Sequence, residues 1–181
     1  MSLRGLIVLL FAAPCLAAAE QLEICYNWGC AARATVTLAD FQFDSLRRLF
    51  AEADDAGQER AAIALAIGLL QKFSGEQTPT RADRGGNSQD AEVNGRMDCI
   101  DHASNATSYL RLLERRGLLK FHIVLEPIVR SRWIFSAHWA ARILDKTTGE
   151  FYAVDSWYFD NGQPAAVIQL EDWLKGRAPD V

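Results

Sequence analysis

The sequence predicts an α+β fold in which helices pack on an antiparallel β-sheet. Its first half carries apolar residues at helical spacing, and an apolar-striped helix follows near the middle of the chain. Its second half holds segments rich in β-branched and aromatic residues, separated by turn residues. Because the helices precede the strands instead of alternating with them, the order favours an antiparallel sheet.

Residues 1–19 have the layout of a secretory signal peptide, with a basic residue, an apolar run from Leu6 to Leu16 and small residues up to Ala19. The run is too short to span a membrane. We therefore expect cleavage after Ala19 and a single domain at residues 20–181 with no integral membrane segment. The expected location is periplasmic or secreted.

The cysteines fall into three groups. Cys15 lies in the signal peptide, where lipidation is an alternative to soluble export, although Pro14 does not fit the small residue that such processing requires. Cys25 and Cys30 close a short loop and predict a disulfide, because export leads to an oxidising environment. A two-thiol metal site is the alternative, but no second ligand pair of similar spacing exists. Cys99 is left unpaired.

Two helices forming a hairpin are expected before the middle of the chain. The first runs from Asp44 to Ala53, and Gly57 interrupts the pattern after it. The second has apolar residues from Ile63 to Phe73 on one face and ends near Gly75.

A loop from Glu76 to Met97 leads to a central helix, which is expected from Cys99 to Arg116. An irregular segment of this length inside a compact domain is typical of a functional loop, here one that faces the substrate. Asp98 is the expected N-cap of the helix and Gly117 its stop. The unpaired Cys99 therefore opens the buried central helix.

Three strands and a short final helix complete the expected elements. The strands are Phe121–Arg130, Ser136–Leu144 and Phe151–Ser156, and the helix is Leu170–Leu174. Alternation along the second strand places His138 on the face opposite its most aromatic stripe. That stripe consists of Phe135, Ala137, Trp139, Ala141 and Ile143.

Cys99 is the candidate nucleophile, because free backbone N–H groups and the helix dipole favour a thiolate in the first turn of a helix. The charges of Asp98 and Asp101 oppose its ionisation, so a nearby base has to activate it. His138 is the candidate base. A four-residue turn between the second and third strands places Asp155 on the same face as His138 and within side-chain reach.

Other residues compete for supporting roles. His102 lies one helical turn from Cys99 and is a rival base, but we expect it instead to line or support the pocket, and we expect His122 to be structural. The backbone N–H of Cys99 is one donor for an oxyanion. The candidates for a second donor are Asn94, Gln89, Asn87 and Trp28. Trp139 and Trp157 are expected to wall the cleft, with core packing as the alternative for both.

The chain resembles the transglutaminase-like superfamily, and within it the bacterial transglutaminase-like cysteine peptidases. The resemblance rests on Gly95–Ala103 (GRMDCIDHA), on Ala137–Ala140 (AHWA) and on Tyr152–Ser156 (YAVDS), in this order. It implies a papain/transglutaminase-like core, a periplasmic location and a triad. In that triad Cys99 is the nucleophile, His138 the general base and acid, and Asp155 the group that orients the imidazole.

Two features of the resemblance bear on cofactors and activity. Some of these peptidases bind calcium through acidic residues beside the nucleophile, but Ile100 occupies one such position here, so we expect no calcium requirement and no other cofactor. A metal site formed by Cys99, His102 and His138 is an alternative. The spacing of the sequence indicates no fourth ligand for it. Members of the superfamily that have lost catalysis also exist.

The predicted function is that of an exported cysteine-dependent acyl-transfer enzyme, a peptidase or amidase acting on a protein or peptide. A transamidase with the same triad and a non-catalytic periplasmic binding or scaffold protein are the alternatives. With 19 basic and 23 acidic residues, a formal net charge of −4 and no dense basic run, the chain is not expected to bind nucleic acid.

Overall fold

The computed structural model describes residues 20–131 and 137–179. The predicted signal peptide with Cys15, and the aromatic-stripe residue Phe135, lie outside these residues. Among the described helices, none is long and apolar enough to cross a membrane.

The described chain is a mixture of helices and antiparallel strands, which confirms the predicted α+β class. A two-stranded sheet comes first, and a four-stranded sheet in the order β3-β4-β5-β6 lies in the second half. The strands are β1 (Glu20–Tyr26), β2 (Ala32–Leu38), β3 (His122–Ser131), β4 (Ala137–Asp145), β5 (Phe151–Asp155) and β6 (Ala166–Gln169). The helices are α1 (Asp40–Ala51), α2 (Ala56–Gly75), α3 (Cys99–Arg115) and α4 (Leu170–Leu174), with a 3₁₀ turn at Pro79–Ala82.

The starts of two helices differ from the predicted ones. α1 begins at Asp40, four residues early, because the side chain of Gln42 accepts a hydrogen bond from the backbone N–H of Ala39 at 2.8 Å and closes the first turn. α2 already includes Gly57, because the N-cap Asp55 accepts a hydrogen bond from the N–H of Gln58 at 2.7 Å. The glycine thus lies in the first turn, where the capping bond outweighs its low helix propensity.

The central helix α3 packs against β1, the four-stranded sheet and α2, so its apolar stripe is fully enclosed. Leu110 and Leu113 are buried with Ile143 of β4 and Val154 of β5 in the main core. Each such side chain stabilises the fold by about 2 kcal/mol through burial alone. The opposite face of the same sheet holds a second, smaller cluster around Trp173 of α4.

The turn between β4 and β5 fixes which residues of these strands share a face. The backbone N–H of Asp145 donates to the carbonyl of Glu150 at 2.9 Å, and Ala141 pairs with Val154. This is the register of the four-residue turn expected from the sequence. The carboxylate of Asp145 stabilises the turn, because it accepts hydrogen bonds from the N–H and hydroxyl of Thr147 at 2.8 and 2.6 Å.

Asp145→Asn should lower the free energy of unfolding by about 2 kcal/mol at pH 7. Burial raises the pKa of Asp145, but its bonds to Thr147 and Arg60 outweigh this effect and bring the pKa down to about 2. Since the folded pKa lies below the ordinary value of 3.8, the stabilisation is present above pH 3.8 and is lost as the pH falls through 2.

Denaturant unfolding of both proteins between pH 7 and pH 2 measures this difference. The matched control is Asp44→Asn, which removes an exposed ion pair with Arg47 and should change stability by less than about 0.5 kcal/mol. If the stability difference between Asp145→Asn and the wild type stays constant across the pH range, the ionised carboxylate of Asp145 is not the source of the stabilisation.

Candidate functional site

Cys99 is the first residue of α3, as the sequence predicted. Asp98 caps the helix, and its Oδ1 accepts hydrogen bonds from the N–H groups of Ile100 and Asp101, both at 3.0 Å. Among the described cysteines, Cys99 alone is free, and its half-buried Sγ lies 3.9 Å from the carbonyl oxygen of Ala137. The helix start therefore presents the thiol to the N-terminal end of β4.

His138 of β4 and Asp155 of β5 are joined by a hydrogen bond of 2.7 Å between Nε2 and Oδ2. Asp155 is buried, and its second partner on Oδ2 is the indole N–H of Trp173 at 2.9 Å. The backbone N–H of Trp157 donates to the other oxygen, Oδ1, at 3.2 Å. The carboxylate is thus fixed from three sides and holds the imidazole in one orientation.

The surroundings of His138 favour its protonated form. Burial lowers the pKa of the imidazole, but hydrogen bonds to Asp155 and Cys99 and the negative charges of both groups outweigh burial and raise the pKa to about 9. The imidazole therefore carries a proton throughout the neutral range. A protonated histidine hydrogen-bonded to a cysteine is the arrangement that thiol proteases use to hold a thiolate.

Aromatic rings that do not belong to β4 enclose His138. Its ring centroid is 5.0 Å from that of Trp157, 5.7 Å from Tyr158 and 5.8 Å from Trp173. Strand alternation describes β4 alone, whereas these rings come from the segment after β5 and from α4. They exclude water from the His138–Asp155 pair and so strengthen its hydrogen bond.

Cys99 and His138 open into a cleft of about 600 Å³. Three tryptophans line it, of which Trp139 and Trp157 were expected there and Trp28 was a candidate oxyanion donor. The polar lining residues are Asn87, Ser88, Asp98 and Arg130. Because Asn87 and Ser88 come from the loop that precedes α3, this loop does contribute to the cleft.

Asn94, predicted to bind substrate, does not line the cleft. Its side-chain oxygen accepts a hydrogen bond from Nδ2 of Asn27 at 3.1 Å, and Asn27 in turn accepts one from the N–H of Gly95 at 2.7 Å. Asn94 therefore ties the loop before α3 to the loop between β1 and β2. These contacts join residues far apart in sequence, which local patterns cannot reveal.

His102 is also absent from the lining of the cleft, although the sequence suggested it as a pocket residue. It is buried, with Nδ1 at 2.9 Å from Ser156 Oγ and Nε2 at 3.0 Å from Asp83 Oδ2. Asp83 also accepts the N–H of Met97 at 2.8 Å. His102 thus supports the site from behind, because its partner Ser156 follows Asp155 and its partner Asp83 binds the N–H of Met97, which precedes Asp98.

The loop closed by the disulfide between Cys25 and Cys30 lies against the start of α3. Asp101 accepts hydrogen bonds from the N–H groups of Trp28 and Cys30 at 2.9 and 2.6 Å, and Asp98 accepts that of Gly29 at 3.1 Å. The two acids that seemed to oppose thiolate formation are therefore bound by the N–H groups of this loop. Burial and the charge of Asp98 raise the pKa of Asp101, and the N–H groups oppose that rise.

The disulfide loop holds an unusual backbone conformation. Asn27, Trp28 and Cys30 have φ values of 66°, 60° and 58°, and Gly29 between them has 61°. Left-handed φ costs about 1 kcal/mol for each residue with a side chain, so the disulfide and the carboxylates of α3 have to maintain the shape. The result is that Trp28 reaches the cleft, with its indole Nε1 buried and without a hydrogen-bond partner among the described residues.

The acidic and sulfur groups that lie closest together near α3 are already engaged in other bonds. Cys25, Cys30 and Asp101 bring one ligand atom each within 4.8 Å of one another, but the two sulfurs are bonded to each other and the carboxylate is occupied by backbone N–H groups. Within the described residues no other group of three such ligands lies as close, the set of Cys99, His102 and His138 included.

His122 has a structural environment, as expected. It is buried, and its Nδ1 lies 2.9 Å from the carboxylate of Glu59, which also accepts hydrogen bonds from the backbone N–H groups of Lys120 and Phe121. These contacts join α2 to the start of β3.

Comparisons of the chain with protein-family models, with curated proteins and with solved structures return no match. The functional assignment therefore rests on the geometry of the site.

Proposed function

We propose that this protein is a cysteine-dependent acyl-transfer enzyme, a peptidase or amidase of the transglutaminase-like superfamily with a papain-like core. Cys99 is its nucleophile, His138 its general base and acid, and Asp155 the residue that orients the imidazole. The observation that carries the proposal is an imidazole that is hydrogen-bonded to a buried carboxylate and lines the same cleft as a free cysteine.

The first half of the reaction forms a thioester. Since Nε2 of His138 is bound to Asp155, Nδ1 is the atom that exchanges a proton with Cys99, and the raised pKa of the imidazole keeps this proton on His138 in the neutral range. The thiolate attacks the carbonyl carbon of an amide, a C–S bond forms and the π electrons move to the oxygen. When the tetrahedral intermediate collapses, the C–N bond breaks and the leaving amine takes the proton from His138.

The second half releases the product. Water gives a proton to His138 and attacks the thioester carbon, after which the C–S bond breaks and the acid product leaves. An amine in place of water gives transamidation at the same site, so the acceptor distinguishes the two reactions.

We assign two hydrogen-bond donors to the oxyanion of both intermediates. They are the backbone N–H of Cys99 and the indole N–H of Trp28. Among the four candidates for the second donor, only Trp28 and Asn87 line the cleft. The side-chain amide of Asn87 already donates to Asp90, whereas Nε1 of Trp28 is buried and has no acceptor among the described residues. A donor without a partner is free to bind an oxygen that develops charge in the transition state.

A disulfide between Cys25 and Cys30 supports the exported location, because disulfides persist in oxidising compartments. It also leaves Cys99 as the free thiol for catalysis.

Incubation with a peptide library should show cleavage by the wild-type protein that Cys99→Ala abolishes. New peptide termini, read by mass spectrometry, report hydrolysis, and addition of a primary amine to the library reports transamidation. Since Cys99 is not part of the apolar core, the alanine variant should unfold at the same denaturant concentration as the wild type. Equal cleavage by both proteins, or none by either, contradicts the proposal and favours a binding or scaffold role.

A further inference from the structure

We propose that Arg130 binds a carboxylate of the substrate next to the reacting bond, so that the enzyme selects acidic peptides; this inference rests on the proposed function. Arg130 of β3 is the direct antiparallel partner of His138 on β4, and it lines the same cleft as Cys99. A guanidinium at this position is a few ångströms from the strand that carries the base.

The guanidinium of Arg130 is bound only by neutral groups. It donates to the carbonyl of Trp173 and to the hydroxyl of Tyr158, the latter at 2.9 Å, and it stacks on the Trp173 ring at 4.5 Å. No carboxylate of residues 20–131 and 137–179 forms an ion pair with it. These contacts fix the orientation of the side chain while leaving its charge uncompensated.

The other permanent charge in the cleft is already compensated. Asp98 accepts three backbone hydrogen bonds, from Gly29, Ile100 and Asp101, which disperse its negative charge. The charge of His138 is paired with the carboxylate of Asp155, so among the described lining residues Arg130 is the cation without an ionic partner. The tryptophan walls of the cleft lower the local dielectric constant and so strengthen the attraction of Arg130 for an anion.

The test compares two alkylating reagents of nearly equal size, the anionic iodoacetate and the neutral iodoacetamide. In both reactions the Cys99 thiolate attacks the CH₂ carbon, the C–S bond forms, and iodide leaves with the electrons of the C–I bond. We expect the ratio of the iodoacetate rate to the iodoacetamide rate to fall about fivefold in Arg130→Gln, the loss of one favourable charge contact. Arg47→Gln, which removes an exposed charge from α1, should leave the ratio unchanged.

A second measurement uses the wild-type protein, so misfolding of a variant does not affect it. In the wild-type protein, raising the salt concentration should slow iodoacetate but not iodoacetamide, because salt screens the charge contact alone. Arg130→Lys should retain most of the ratio. A ratio that is the same in Arg130→Gln and wild type overturns the inference, whereas slow reaction with both reagents in the wild type overturns the proposed function instead.

The carboxylate can belong to an acidic side chain or to the C-terminus of a peptide. N-acetyl-glutamate amide and N-acetyl-glutamine are isomers that carry only the first and only the second of these groups. The isomer that protects wild-type Cys99 from iodoacetamide more strongly, and loses that advantage in Arg130→Gln, identifies the source. The inference is overturned if neither isomer protects Cys99 more strongly than neutral N-acetyl-glutamine amide does.

Discussion

Replacing His138 with alanine should slow the alkylation of Cys99 by iodoacetamide at pH 7 by roughly tenfold. A thiol without a charged partner ionises near pH 8.5, so only a few per cent of it is thiolate at pH 7. In the wild-type protein the imidazole, with its pKa raised to about 9, keeps its proton at pH 7, and we expect this positive charge to favour a thiolate at Cys99. The variant loses this charge and retains only the effect of the helix start.

The difference in alkylation rate between the wild type and His138→Ala should depend on pH, and the pKa of His138 gives the direction. Since the raised pKa of His138 favours the protonated imidazole below pH 9, the advantage of the wild type should be large at pH 7 and should vanish above pH 9. Intact-protein mass spectrometry without reduction follows the reaction, with one label expected because Cys25 and Cys30 are bonded to each other. Ser88→Ala changes the cleft lining but not the triad and should react as the wild type does. Equal rates in His138→Ala and wild type at pH 7 contradict the triad.

The sequence predicted the contact between His138 and Asp155 because a local turn controls it. Asp145 and the turn that follows it set the register of β4 and β5, and the alternation of side chains then places His138 and Asp155 on the same face. The start of α3 was equally local, since Asp98 caps the helix through its own backbone neighbours. Short-range hydrogen bonds of this kind can be predicted from a single sequence.

The first and last strands were missed for two different reasons. β1 and β2 flank the disulfide loop, and β1 does show a strand pattern, with Leu22 and Ile24 buried and Gln21 and Glu23 exposed. Applying the same alternation test to the segment after the signal peptide would have found it. β6 has only four residues and forms where Ala166 pairs with Asp155, a long-range contact without a local signal.

The supporting side chains could not be predicted, because their roles depend on tertiary contacts. Asp101 had no evident purpose in the sequence, yet it binds the N–H groups of Trp28 and Cys30, more than seventy positions earlier in the chain. Trp173 lies on α4 and contacts the triad only because α4 packs under Asp155. The roles of such residues can be recognised only after the positions of the sheet and α3 are known.

Trp28→Phe should lower the rate of amide hydrolysis about a hundredfold while leaving the alkylation of Cys99 by iodoacetamide nearly unchanged. Alkylation passes through no oxyanion, so it reports the thiolate alone. Hydrolysis passes through two tetrahedral intermediates, and each has a charged oxygen that we assign to the Cys99 N–H and to Nε1 of Trp28. Phenylalanine keeps an aromatic ring in the cleft but lacks the N–H donor.

The measurement pairs hydrolysis of a peptide found in the library with alkylation of the same preparation. Trp139→Phe is the matched control, since Trp139 lines the same cleft but is not assigned to the oxyanion, and it should change hydrolysis by less than about fivefold. A peptide aldehyde adds an independent readout, because its hemithioacetal with Cys99 places an oxygen where the oxyanion would develop and should be less stable in Trp28→Phe. If Trp28→Phe and Trp139→Phe reduce hydrolysis equally, the unpaired indole N–H has no special role, and Asn87, the other candidate at the cleft, becomes the second donor to test.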